Sequence, residues 1–233
     1  MTVTFLNVTL DVFYLGLGLL LLWFPRPWLR YGAFRRKARR RDWAPNRERQ
    51  PGDFSVWLGE EATKTRNWVD FFRALAGGAA VGGTLIPTIA AITPAGPDAG
   101  VPAARLVLGL KLAILLAGLA LQLFRREERV SLFAPIFYLQ GLAFGLLGWK
   151  AAACAIALAW AANAVLPSAA VLLAVFAFLE ILAGLFFRQS RRETLLAGAL
   201  TLLPVFASLA LKRRLAQFTK RTKIIAGPSS ARG

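Results

Sequence analysis

A chain of 233 residues that is 57% hydrophobic, with a mean hydropathy of +0.53, carries its apolar residues in long unbroken blocks, unlike a water-soluble domain or a transmembrane β-barrel. One cysteine, Cys154, excludes an intramolecular disulfide, and the absence of histidine removes the commonest metal ligand and general base. The net charge of +17 is clustered beside the apolar blocks, where Lys and Arg orient spans and meet anionic headgroups, so nucleic acid is not an expected partner.

The expected class is therefore an all-α, polytopic integral membrane bundle of about seven transmembrane helices, with six as the alternative. It forms a single transmembrane domain over 1–233. The first predicted span covers 5–24, and with no cleavage site after it the segment reads as an anchor. A basic loop over 25–67 follows, holding Arg35, Arg36, Lys37, Arg39, Arg40 and Arg41. By the positive-inside rule this loop is cytoplasmic and the N-terminus lies outside. A short interfacial helix is expected near 54–65.

The second span is expected over 68–93. Asp70 and Arg73, three residues apart, can pair at its cytoplasmic mouth. Gly78 and Gly82 form a small-xxx-small face that admits a close neighbour. The third span, 103–124, carries Lys111 near its middle and ends at Arg125-Arg126-Glu127-Glu128-Arg129, a solvated charge run. The fourth, 131–148, presents Gly141 and Gly145 on one packing face with Gln140 beside it.

Residues 151–165 are alanine-rich and short for a span. If they cross, the bundle has seven helices and the C-terminus is cytoplasmic; if not, it has six and the C-terminus is outside. The basic tail carries more cations than the 188–193 loop, which favours seven. The next span, 168–187, holds one charged residue, Glu180, and the last, 194–211, contains Pro204. Residues 212–233 read as a basic interfacial helix running into a disordered tail. Lys212, Arg213 and Arg214 join the loop arginines as anionic-lipid contacts.

A charge at the centre of a span costs about 2.5–3.5 kcal/mol on insertion scales, so it meets a partner or lines a cavity. Lys111, Glu180 and Gln140 fall at similar depths and are expected to form one intramembrane polar cluster. Its structural reading is an ion pair that fixes helix order; its functional reading is a substrate or proton site. No metal site, cofactor or catalytic constellation is expected, and the balance leans away from an enzyme.

The expected function is a structural or accessory subunit of a larger membrane assembly. The first alternative is a small-solute or ion transporter or channel using the Lys111–Glu180–Gln140 layer; the second is a lipid-modifying membrane enzyme. Membrane lipids and a protein partner or second copy are the expected partners. The Ala/Arg/Gly-rich composition points to a bacterial plasma (inner) membrane.

Overall fold

The computed structural model describes residues 1–24, 58–83, 89–96, 100–126, 130–212 and 215–216. The loop cations Arg35, Arg36, Lys37, Arg39, Arg40 and Arg41, together with Arg213 and Arg214, lie outside the described residues. The protein is mostly helical.

The chain opens with a β-hairpin rather than a helix. Strand β1, Thr2–Phe5, pairs antiparallel with β2, Val8–Asp11, and β2 pairs antiparallel with β3, Ile92–Pro94. The β-branched residues Thr2, Val3, Thr4, Val8 and Thr9 favour extended backbone, and Leu6 and Asn7 take positive φ at the two-residue turn. Helix α1 is therefore only Val12–Trp23, shorter than the predicted 5–24 span. The Asp11 carboxylate caps it by accepting from the backbone N–H groups of Phe13 and Tyr14.

Helix α2, Leu58–Ala62, supplies one turn of the expected interfacial element, and α3 is Thr65–Gly82. Gly83, in the left-handed region at φ 72°, ends α3 with its N–H bonded to the Ala79 carbonyl, well short of the predicted limit at 93. Helix α4 is Gly100–Leu123. A second small sheet joins β4, Phe124–Arg126, β5, Val130–Phe133, and β6, Leu215–Ala216, which runs parallel to β5. The helix expected after residue 211 is thus replaced at 215–216 by a strand, because pairing with Leu132 and Phe133 satisfies its backbone.

Helix α5, Ile136–Ala162, is folded in two at Gly148, whose φ 73° and ψ 168° are not helical. The ring centroids of Phe137 and Trp160 lie 6.1 Å apart. In a straight helix those residues would be separated by about 34 Å. The two legs, 136–147 and 149–162, therefore run antiparallel as a tight hairpin. A 3-10 turn, Asn163–Val165, leads to α6, Ala169–Phe186, which Ser168 caps, and then to α7, Arg191–Ala210.

Leu22 packs on Gly77 and Gly18 on Val81, so α1 and α3 are antiparallel, while α3 and the first leg of α5 run side by side. Leaving aside the single turn α2 and counting α5 as two, seven helical legs among the described residues alternate in direction. One end of the bundle, the basic end, gathers Phe24, α2, the β4–β6 sheet and Leu211; the other gathers the β1–β3 sheet, Gly148 and Gln189. Among the described residues, four helices are able by length and composition to cross a membrane: Gly100–Leu123, Ile136–Val165, Ala169–Phe186 and Arg191–Ala210. The second of these contains the hairpin. The core is one continuous cluster that joins Leu139, Leu142 and Leu146 of the first leg and Ala151, Ala155 and Ala159 of the second with Ala74 and Val81 of α3 and Leu172, Leu173 and Phe176 of α6.

Candidate functional site

The glycines read from the sequence lie at the closest contact in the bundle. A Cβ on Gly145 would stand 2.6 Å from Ala79 N, and one on Gly141 2.9 Å from the Phe71 carbonyl carbon. From the other side, a Cβ on Gly82 would meet the Gly145 carbonyl oxygen at 2.8 Å, and one on Gly78 the Leu142 side chain at 2.9 Å. No side chain fits between these backbones, so α3 and the first leg of α5 touch main chain to main chain.

The expected polar layer is not assembled. Lys111, half-buried on α4, donates from Nζ to the Gly82 carbonyl at 2.7 Å. That carbonyl is one of the last in α3, where a cation is favourable. The acidic charge that acts on Lys111 is Glu193, in the first turn of α7. Glu180 is elsewhere, fully buried on α6, and Gln140 is buried on the first leg of α5, one residue from the Gly141 contact with Phe71. The Lys111–Glu180 pairing is therefore corrected. The reason is lateral: α4 packs chiefly against α1 and the β3 region, with a smaller contact to α7, whereas α6 packs against α5 and α7. Equal depth along separate helices does not bring side chains together.

The bonded polar network stands at the basic end instead, around the C-terminus of α1. The Arg73 guanidinium, on α3 and only 7% exposed, donates from Nη1 to the Phe24 carbonyl and from Nη2 to Gln122 Oε1 at 2.6 Å. Its Nε is 3.0 Å from Asp70 Oδ1, the i,i+3 pair read from the sequence. Gln122 Nε2 also reaches the Phe24 carbonyl, at 3.4 Å, and Tyr138 Oη donates to the Leu22 carbonyl at 3.4 Å. The Arg73 Cζ sits 5.6 Å from the Tyr138 ring centroid. Three helices thus close the carbonyl end of a fourth, whose orphan acceptors would otherwise face a low-dielectric interior.

Beside this network, Asn67 Nδ2 donates to the Glu61 carbonyl at 2.8 Å and to its carboxylate at 3.0 Å, and Lys64 pairs with that carboxylate. Gln122 and Tyr138 were not singled out by sequence reasoning. Gln122 had a signal, since it is the one amide side chain in α4, one residue before the end of the helix.

The α6–α7 seam holds a second polar group that the sequence reading reached only through Glu180. Thr194 and Thr201, both buried on α7, face it, and their spacing of seven residues places them on one side of the helix. The Thr201 hydroxyl stands beside the Glu180 carboxyl but outside hydrogen-bonding geometry. Neither Glu180 oxygen has a hydrogen-bond partner, nor does Thr194 Oγ1. Among the described residues no group of three or more His, Cys, Asp or Glu side chains is placed to hold a metal ion. No family model, no curated protein and no solved structure matches this chain.

Proposed function

We propose that this chain is a non-enzymatic integral membrane protein serving as a structural or accessory subunit of a larger membrane assembly. The observation that carries the reading is the use made of the bonded interior polar groups. Arg73, Asp70, Gln122 and Tyr138 close the end of α1, and Lys111 closes the end of α3. Groups engaged in this way hold helices in place and are not open to a substrate. A lipid-modifying enzyme needs converging acid, base or nucleophile at the headgroup level, and Glu61 and Asp70 are each engaged by neighbouring cations.

The proposed topology follows the seven alternating legs. The N-terminus and Gly148 are outside; the basic loop 25–67 and the basic tail are inside, against anionic lipid. A bacterial plasma membrane is the proposed location. The surface available to a partner includes the exposed Phe178, Leu182, Leu185 and Phe186 of α6 and Leu195, Phe206 and Leu209 of α7.

Purification from native membranes in mild detergent tests the reading. A stoichiometric partner, or a defined oligomer, is the expected result, and its loss on charged substitution at Phe178 or Leu182 would locate the interface. A monodisperse single copy that conducts a solute in liposomes would replace this reading with the transporter.

A further inference from the structure

We infer that Glu180, with Thr201, forms a binding site for one small monovalent cation, a proton or an alkali metal ion, in the seam between α6 and α7. This stands on the α6–α7 geometry alone and is independent of whether the chain serves as an accessory subunit.

The seam is built around small residues. Gly184, one turn beyond Glu180, admits Thr194 so closely that a Cβ there would stand 2.5 Å from the threonine Oγ1. Gly198 lies against Ile181, and a Cβ on it would be 3.5 Å from the Ala177 carbonyl, one turn before Glu180. The carboxyl is thus bracketed between two tight contacts. A helical side chain leans toward the N-terminus of its helix, which directs Glu180 toward the Ala177–Gly198 level and Thr201. Both carboxyl oxygens are buried and without a partner in hydrogen-bonding geometry among the described residues.

An isolated carboxylate in such a place is strongly disfavoured, so a compensating positive charge is needed. Among the described residues the surroundings do not supply it. The other buried charged side chains described, Glu61, Asp70 and Arg73, belong to the basic end. Lys111 is held at Gly82. The second leg of α5 brings buried Ala152, Ala155 and Ala159, with Lys150 exposed at its start. On α7, Arg191 and Arg192 are exposed in the first turn, and the neighbouring Glu193 has the wrong sign.

No described side chain supplies the compensating charge, which is assigned to a bound cation. One carboxylate matches one unit of charge, and a site with zero exposure at its centre excludes a bulky organic cation. A proton on the carboxyl would use a threonine hydroxyl as acceptor. An alkali ion would use carboxylate and hydroxyl oxygens together.

The test is carbodiimide modification of the full chain in liposomes, with the adduct located by mass spectrometry. Wild type is labelled at Glu180 and Glu180→Gln is not. Labelling is followed against sodium, with choline as the control, and separately against pH. Protection by sodium at constant pH, with a melting temperature that rises with sodium concentration, identifies an alkali ion. Labelling that ignores sodium and falls as pH is raised identifies a proton. In either case Thr201→Val shifts the midpoint. Labelling of wild type that responds to neither sodium nor pH, including no labelling at all, overturns the proposal and leaves Glu180 a sealed structural carboxyl. That readout needs no variant to fold.

Discussion

Arg73 has more of the basic end resting on it than any other described side chain. Its guanidinium joins Asp70 and Gln122 to the open carbonyl at Phe24. Removing one member of a buried pair leaves the other uncompensated, at a cost of about 3–5 kcal/mol. Arg73→Met should therefore destabilise the protein in a detergent-unfolding titration, and Asp70→Asn added to it should recover part of the loss. Equal stability of Arg73→Met and wild type would mean that α1 is held by its apolar contacts alone. Lys111 and Glu180 call for the opposite expectation. Lys111→Met loses the bond to Gly82 and Glu180→Gln alters a separate seam. Their effects should add to within about 0.5 kcal/mol, as for sites with no shared partner. A larger coupling energy in the double-mutant cycle would place the two side chains in contact after all.

At the scale of elements, the α3–α5 contact is set by glycine. Gly145→Ala pushes a methyl group into the Gly78–Ala79 backbone, so the helices separate or tilt, with an expected loss of about 1–3 kcal/mol. Gly109, on α4, has nothing within 4 Å of its would-be Cβ, and there the same change should be neutral or stabilising by up to about 1 kcal/mol. Thermal melts of the two variants separate packing from helix propensity. The hairpin in α5 depends on a different glycine property. Gly148, at φ 73° and ψ 168°, occupies a region that side chains disfavour, so Gly148→Ala should cost about 1–3 kcal/mol although space is available. A melting curve unchanged from wild type would mean the turn is reached by a relaxed backbone.

For the molecule as a whole, the alternating legs make a topological prediction. With Cys154 replaced by alanine, single cysteines at Thr4, Lys150 and Thr63, all exposed, can be probed with an impermeant thiol reagent in intact cells. Thr4 and Lys150 should label from outside and Thr63 only after permeabilisation. Lys150 is the informative position. It lies at the turn of the hairpin if α5 folds back within the membrane, and halfway through a span if residues 136–165 cross once. Protection of Lys150→Cys in both intact and permeabilised cells would favour the single crossing and leave the C-terminus on the other side.

The sequence by itself determined the class, the positions of most helices and the basic end, because long apolar blocks and flanking cations act through length and charge, which need no neighbours to be read. The glycine faces were legible for a related reason: a residue without a side chain in an apolar helix marks where a backbone comes close. Asp70 and Arg73 were legible because their pairing is local, within one turn of α3. The tertiary structure alone decided who meets whom across helices. The depths of Lys111, Glu180 and Gln140 could be estimated along each helix, but not which helices are adjacent, and the lateral order of the bundle gave Lys111 to Gly82 and left Glu180 beside Thr201. The sequence placed the end of a span at 148 and favoured a separate crossing over 151–165; the tertiary structure decided that the second leg folds back tightly along the first. The two small sheets escaped in part for the same reason. Strands β1 and β2 pair as a local hairpin, but β2 finds its second partner only in the distant β3, and Leu215–Ala216 becomes a strand only beside β5.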